Sequence, residues 1–449
     1  MTPTRSGLPP RLRTLGALAL LGTAFPANLA VTAGAALVGL AAPTAPSPTP
    51  AGGRRTVLLS GGKMTKALQL ARSFHSAGHR VVLVESGRYR FSGHRFSRAV
   101  DAFHVVPPSG DASYVDALVD VVRREGVDVY VPVCSPASSR HDALAKARLA
   151  EHCEVVHLDP DDLEALDDKA AFAALATSLD LPVPLTHRLT DPTQVAEFDF
   201  AAHPGVRWVL KSIAYDPVNR LDLTPLPLAT PADTAAFARS KPISDDNPWL
   251  LQELVEGREY CTHGTARDGR LRVWACCESS AFQVNYTMVD RPDIQAWVTR
   301  LVEERKLTGQ VSFDFLERAD GSITAIECNP RTHSAITMFH RHPGLAATYL
   351  ADEDGGGDAG PVVPLPDYRP TYWTYHELWR LLSRPSSARE RWRVLRGGRD
   401  AILDTRDPLP FLLVHHLQIP SLLLRALVTG RDWIRIDFNI GKLVEVGGD

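Results

Sequence analysis

The stretch Ser312-Phe313-Asp314-Phe315-Leu316-Glu317-Arg318-Ala319-Asp320-Gly321-Ser322-Ile323-Thr324-Ala325-Ile326-Glu327-Cys328-Asn329-Pro330-Arg331 reads as two strands joined at an Asp-Gly turn. A two-residue turn at Asp320-Gly321 pairs Ala319 with Ser322 and sets Asp314 directly across from Glu327. Opposed positions hold their Cβ atoms about 4.5–5.5 Å apart, and like charges there destabilise a sheet. Asn329 lies two residues beyond Glu327 and so faces the same side. Phe313, Phe315, Ile326 and Cys328 alternate to the other side and are expected to face the core. Two carboxylates and an amide oxygen on one face suit a hard divalent cation whose shell is completed by phosphates. Magnesium is the expected ion, with manganese as an alternative. The competing reading is a solvated acidic face, and the direct opposition of Asp and Glu, followed by Arg331, argues against it.

Outward from the hairpin, the chain reads as a mixed α/β protein. Thr56 to Ser60 is a buried strand, Met64 to Ala77 a helix ended by Gly78, and Arg80 to Glu85 a second strand. With a helix over Val115 to Glu125 and strands at Val127–Val133 and Val155–Leu158, this predicts a Rossmann-like domain with a parallel sheet. The segment Ser60-Gly61-Gly62-Lys63-Met64-Thr65 fails as a phosphate loop, because Met64 follows Lys63 where Ser or Thr is required. A glycine turn that admits a ligand to a helix N-terminus stays open. Asp159 to Leu179 reads as helical, and Trp249 to Asn329 as mostly β, with hairpins at Asp268-Gly269 and Asp320-Gly321. The expected divisions are 1–53, an apolar membrane-associating segment and linker; 54–158, the Rossmann-like domain; 159–248 and 249–352, two lobes; and 353–449, a helical and aromatic extension.

The spacing of Asp314, Glu327, Asn329 and Arg331 resembles the metal and phosphate signature of the ATP-grasp superfamily. Other pieces follow in the expected order. Lys169, in Leu166-Asp167-Asp168-Lys169-Ala170-Ala171-Phe172, resembles the first nucleotide-binding lysine, and Lys211, closing Trp208-Val209-Leu210-Lys211, the second. The run Leu251-Gln252-Glu253-Leu254-Val255-Glu256-Gly257-Arg258-Glu259 resembles the hinge that holds adenine. The resemblance implies an ATP-grasp fold that binds ATP and magnesium. It places Gln252, Glu253, Leu254 and Val255 at the adenine, Glu259 at the ribose and Asp314, Glu327 and Asn329 on the metal. Lys211 and Arg331 stabilise charge in phosphoryl transfer.

Longer strings narrow the resemblance. Ser60 to Arg72, Glu278-Ser279-Ser280-Ala281-Phe282-Gln283-Val284-Asn285-Tyr286, Glu327 to Ala335 and Trp433-Ile434-Arg435-Ile436-Asp437-Phe438-Asn439-Ile440-Gly441-Lys442 are similar to the mycosporine-glycine synthase family of ATP-grasp ligases. That implies small-molecule partners, glycine and 4-deoxygadusol. It also implies a phosphorylated enol, whose oxygen leaves as phosphate when the amine adds. Ser280, Gln283, Asn285, His333 and Ser334 are the candidate substrate contacts, and His263 reads as structural. Two other readings stay open: a ligase joining a true carboxylate to an amine, and a non-catalytic nucleotide-binding module at a membrane.

Composition limits the rest. A formal charge of -3 over 449 residues gives no basic face for nucleic acid. The six cysteines form no CxxC pair, so reduced, buried thiols and a cytoplasmic protein are expected. No charged residue occurs from Thr14 to Gly53, while Arg11, Arg13, Arg54 and Arg55 flank the run. Pro26 divides it into pieces shorter than the roughly 20 residues of a spanning helix. A shallow hairpin or interfacial anchor over residues 14–42, at the inner face of the membrane, is therefore expected. Arginines interleaved with Trp379 and Trp392 in the tail are compatible with membrane contact or with a solvated face.

Overall fold

The structure is a computed structural model; it describes residues 9–41, 52–133, 135–136, 138–213, 219, 222–279, 285–350 and 360–445. After a long helix, α1 (Pro10–Ala41), come β1 (Thr56–Leu59), α2 (Thr65–Ser76), β2 (Arg80–Ser86), β3 (Ala102–Val106), α3 (Tyr114–Glu125), β4 (Val129–Val131), α4 (Ser139–Leu149) and β5 (Glu154–Val155). The five strands form a parallel sheet in the order β3-β2-β1-β4-β5, with the strand order reversing at β1. Leu58, Val82, Val84 and Tyr130 bury one face under α3, while Val57, Leu59, Val81 and Leu83 bury the other under α2. The sequence pattern gave no sign of β3 or α4. The former is a half-exposed edge strand with a weak apolar signal.

Two lobes follow. The first contains α5 (Pro160–Asp167), α6 (Lys169–Ser178), β6 (Thr186–Leu189), α7 (Thr193–Ala196), β7 (Trp208–Ser212), α8 (Pro231–Arg239) and β8 (Trp249–Glu253). Its antiparallel sheet runs β6-β8-β7 around Trp208 and Trp249. The helix expected over Asp159–Leu179 is in fact two. Asp168 breaks it, its carboxylate accepting from the amides of Ala170 and Ala171 at 2.8 Å each, a cap that starts α6 at Lys169.

The second lobe contains β9 (Arg258–Arg267), β10 (Arg270–Glu278), β11 (Asn285–Tyr286), α9 (Pro292–Glu304), β12 (Gly309–Glu317) and β13 (Ile323–Asn329). Its sheet runs β10-β9-β12-β13, and the β9–β10 turn falls at Asp268-Gly269 with both residues at positive φ. The mostly-β expectation missed α9, which buries Ile294, Trp297, Val298, Leu301 and Val302 at helical spacing under Phe313 and Phe315. The chain thus forms two α/β lobes behind a Rossmann-like domain, in the order expected.

The extension comprises β14 (Thr371–Tyr372), α10 (Thr374–Ser383), α11 (Ala388–Gly397), β15 (Arg399–Asp400), α12 (Leu409–Leu413), a π turn (Val414–Gln418), α13 (Ile419–Thr429), β16 (Trp433–Asp437) and β17 (Lys442–Glu445). It is not a loose tail. The glycine turn of the first domain carries it: Gln418 Nε2 donates to the carbonyls of Lys63 (3.3 Å) and Gly441 (2.9 Å), and the amide of Thr65 donates to the carbonyl of Asn439 (3.0 Å). A Cβ on Gly441 would lie 2.2 Å from the Lys63 carbonyl, so this contact requires glycine. The turn left open for a ligand is thus filled by the chain itself.

α1 corrects a second expectation. It runs unbroken through Pro26 rather than folding into a hairpin. Proline removes one backbone bond and crowds the preceding turn, but Pro26 faces outward and the helix is held to the body on either side, at Leu21 and Asn28. Cys153, Cys261, Cys276, Cys277 and Cys328 are buried free thiols, as expected; Cys134 lies outside the described residues.

A buried ion pair fastens the extension to α2. Arg72 Nε donates to Asp407 Oδ2 and its Nη2 to the Asp407 carbonyl, both at 2.8 Å, while Ser97 Oγ and the amide of Arg98 complete the carboxylate's shell. Removing one member strands a buried charge, so Asp407→Ala should cost about 3–5 kcal/mol. Calorimetry should show a marked fall in Tm for this variant and recovery of most of it in Arg72→Met/Asp407→Leu.

Candidate active site

β12 and β13 place Asp314 opposite Glu327, and Ser312 opposite Asn329. The register was reached by two departures that cancel. The turn has three residues, Ala319, Asp320 and Gly321, because the amide of Arg318 donates to the Ser322 carbonyl at 2.8 Å. Gly321 takes the positive φ of 85° that closes such a turn. A bulge then opposes Phe315 to Ala325 and Asp314 to Glu327, leaving Ile326 unpaired. Ala325 therefore takes the core position expected of Ile326, alongside buried Phe313, Phe315 and Cys328.

The two carboxylates titrate apart. Burial and the neighbouring Glu327 push Asp314 well above the usual carboxylate range. Burial acts in the same direction on Glu327, but Lys169, a hydrogen bond from Asp314, Lys211 and Arg331 draw it below that range. A proton shared by the pair is thus favoured on Asp314 over Glu327. Asn329 Nδ2 donates to Asp314 Oδ2 at 3.3 Å, and Arg331 Nη2 donates to Asn329 Oδ1. Two oxygen acids and an amide, half-buried and sharing a proton, fit a small divalent cation that would replace that proton.

Cations from the first lobe face this cluster. Lys169, at the start of α6, brings Nζ to 3.7 Å from Glu327 Oε2. Lys211 on β7 donates to Gln252 Oε1 of β8 at 2.9 Å, and burial lowers its pKa while Glu327 opposes the shift. Gln252 is fixed in turn by donating to Thr186 Oγ1 at 3.1 Å. At the interlobe hinge the Glu253 carboxylate accepts from Arg318 Nη1 at 2.6 Å and from the amide of Leu185 at 3.2 Å. The amide of Leu254 donates to the Arg207 carbonyl at 2.7 Å, and Val255 is buried. Glu259 accepts from Ser279 Oγ at 3.0 Å. The Glu253 side chain, expected to meet adenine, is thus already held by Arg318 and the Leu185 amide.

The substrate candidates divide. Ser280 and Gln283 lie outside the described residues, and Asn285 sits on β11, paired with Tyr372. His333 and Ser334 follow Arg331 and are held by His263, read as structural, and by Asn439, which the sequence reading assigned no role. Ser334 Oγ meets both amide atoms of Asn439, at 2.8 and 3.1 Å. Buried Lys66 donates to the Thr332 carbonyl at 2.6 Å. His263 Nδ1 accepts from the amide of His333 at 3.3 Å. Burial, His333 and Lys66 take His263 down to about 3, and burial, Lys66 and Arg331 do the same to His333. Both rings are therefore neutral at physiological pH. Among the described residues, His263 Nε2 has no hydrogen-bond partner. Lys66 stood within a family-like string; Asn439 lay 108 residues beyond Arg331, with no local signal to join them.

The fold and these groups define a mixed α/β protein, a Rossmann-like domain followed by two lobes, in which carboxylates of the second lobe face a lysine of the first. No protein-family model matches the chain, and no curated protein does. Among solved structures it is similar to N5-carboxyaminoimidazole synthetase from Staphylococcus aureus complexed with ADP (TM-score 0.48, 11% identity, covering 65% of this chain and 74% of that one). It is also similar to N5-carboxyaminoimidazole synthase from Aspergillus clavatus in complex with ADP and 5-aminoimidazole ribonucleotide (0.48, 14%, 63% and 71%). A third is Rhizobium etli pyruvate carboxylase (0.48, 19%), where the match covers 63% of this chain but only 28% of that one.

Since the raised Asp314 pKa holds a proton that a cation must displace, magnesium affinity should rise with pH until Asp314 ionises. The ceiling is about tenfold per pH unit for one proton. Titration calorimetry at pH 5.5 and 8 in buffers of different ionisation enthalpy checks this; binding without proton release would contradict the assignment.

Proposed function

We propose that the chain is an ADP-forming ATP-dependent ligase that joins glycine to 4-deoxygadusol, giving mycosporine-glycine and phosphate. The observation that carries the reading is the Asp314–Glu327 opposition ringed by Asn329, Lys169, Lys211 and Arg331. It suits phosphoryl transfer to an acidic oxygen, which asks for charge neutralisation more than for a covalent nucleophile. The strings shared with the mycosporine-glycine synthase family support the choice of acceptor and amine.

Lys169 and Lys211 clamp the phosphates, and the hinge backbone beside Gln252 to Val255 holds the base. Asp314, Glu327 and Asn329 would hold magnesium, which would neutralise charge on the transferring group. Arg331, whose guanidinium bonds Asn329 Oδ1 beside that ligand set, would stabilise charge on the phosphoryl oxygens. The enol oxygen of the 1,3-dicarbonyl takes the γ-phosphoryl group as ADP leaves. The glycine nitrogen adds at the activated carbon, loses a proton and expels phosphate, leaving an enaminone. Neutral His333, backed by His263, stands in the loop after Arg331 that Asn439 and Lys66 hold in place.

Glu327→Gln should lower the rate of ATP turnover by at least about 10²–10³ with an unchanged circular-dichroism spectrum. For the substrates, ADP release is measured with deoxygadusol plus glycine and with pairs of amino acids, and the product is identified by mass spectrometry. Stimulation by amino-acid pairs alone would assign a carboxylate–amine ligase. Tight ATP binding without turnover under any acceptor would assign a non-catalytic module.

A further inference from the structure

α1 is built inside out. Of its four fully buried side chains, Thr14, Leu21, Asn28 and Thr32, three are polar, with half-buried Ala17 and Leu18 beside them on the core. The side chains turned away are apolar: Leu20, Leu37 and Leu40 are 64%, 68% and 73% exposed, and Leu15, Phe25, Leu29, Val31 and Val38 accompany them. A helix bathed in water shows the reverse order. At 32 residues it is about 48 Å long, and an exposed apolar face of that length marks an interaction surface. α13 runs alongside it and exposes Leu424 and Val428.

The helix is fastened to the body along its whole length. At its start the Arg13 guanidinium bonds Asp432 and the Trp433 carbonyl and lies 4.4 Å from the centroid of the Trp433 ring, whose Nε1 donates to Thr14 Oγ1 at 3.0 Å. At its middle Asn28 Nδ2 meets Tyr375 Oη at 2.6 Å and His416 Nε2 at 2.7 Å. Near its end Gly39 approaches so closely that a Cβ would lie 1.9 Å from the Thr405 carbonyl. Arg13 and Gly39 are about 39 Å apart along the axis, more than the roughly 30 Å of a bilayer's hydrocarbon core. A spanning orientation would place body groups, charged Asp432 among them, at both faces of the membrane. An orientation along the surface requires none of this.

We propose that α1 is an in-plane membrane anchor, lying within one leaflet of a lipid bilayer with its polar stripe on the protein and its apolar arc among the acyl chains. The width of that arc selects lipid over a second copy of the chain. Phe25-Pro26-Ala27 and Leu29-Ala30-Val31 are each exposed at three successive positions, which at 3.6 residues per turn span about 200°. A partner helix covers a stripe of about 100° and would leave the remainder in water. Exposed Arg11 in the first turn of the helix offers a cation to anionic headgroups. The anchor stands independently of the reaction proposed above.

The test uses the full chain and vesicles of phosphatidylcholine with phosphatidylglycerol. Wild type floats with the vesicles, whereas Leu20→Glu/Leu37→Glu/Leu40→Glu stays behind with a bound fraction lower by at least about tenfold and an unchanged Tm. Flotation of both proteins alike, or of neither, overturns the proposal. A wild-type dimer that ignores vesicles and becomes a monomer on the triple substitution would assign the arc to a second copy. Orientation is read with an impermeant maleimide on Thr4→Cys and Arg54→Cys variants bound to sealed vesicles. Labelling of both supports the in-plane helix, and protection of one overturns it in favour of a crossing.

Discussion

Two carboxylates held against each other across a hairpin are an unfavourable arrangement for a sheet, and the rest of the cleft is organised around it. Asp314 and Glu327 cannot separate. Phe313 and Phe315 pin one strand into the core under α9, and Cys328 pins the other. The sheet therefore tolerates the opposition only with help. A proton on Asp314 removes one charge, and Lys169, Lys211 and Arg331 surround the other. Each of these groups also belongs to a set that can clamp phosphates. The same electrostatic problem thus brings the acidic oxygens and the cations around them together, and a dication in place of the proton would relieve the same repulsion.

The extension solves a different problem. A Rossmann-like glycine turn leaves backbone donors open at a helix N-terminus. Here the Asn439 carbonyl takes the Thr65 amide, and Trp373 Nε1 donates to Thr65 Oγ1 at 3.1 Å. The same asparagine reaches Ser334 on the loop that begins at Arg331. One residue from the turn between the last two strands therefore ties the first domain to the loop that follows Arg331 in the second lobe. The loop's position is set by a tertiary clasp rather than by its own turn geometry, which is how a side chain as mobile as arginine acquires a defined starting point.

How much of this was legible in the sequence follows from the range of each interaction. The Asp314–Glu327 opposition was readable because strand alternation and an Asp-Gly turn are local, although the correct register came from a three-residue turn and a compensating bulge that no local rule anticipates. The lysines and the hinge were readable only as a resemblance, since a single lysine carries no signal of its own. Lys66, His263 and Asn439 were not readable as partners, because their meeting is decided by how the extension docks. Helix α9 was lost by treating a long β region as uniform. The helix over 159–179 was correct in kind but hid the Asp168 cap that aims Lys169.

The error at Pro26 teaches the most about physical weighting. Proline's cost inside a helix is about 3 kcal/mol, enough to end a helix that stands alone. α1 does not stand alone: Asn28 sits two residues beyond the proline and makes two buried polar contacts, and the ends are held by Arg13 and Gly39. Each such contact is worth only about 0.5–1.5 kcal/mol net in water, yet several of them distributed along one stripe outweigh a single local defect. The proline also lies on the outward arc, where neighbouring packing is not disturbed. A helix whose continuity is decided by polar contacts on its inner face has released its outer face from any structural duty, and that freedom is what lets leucine, valine and phenylalanine occupy it.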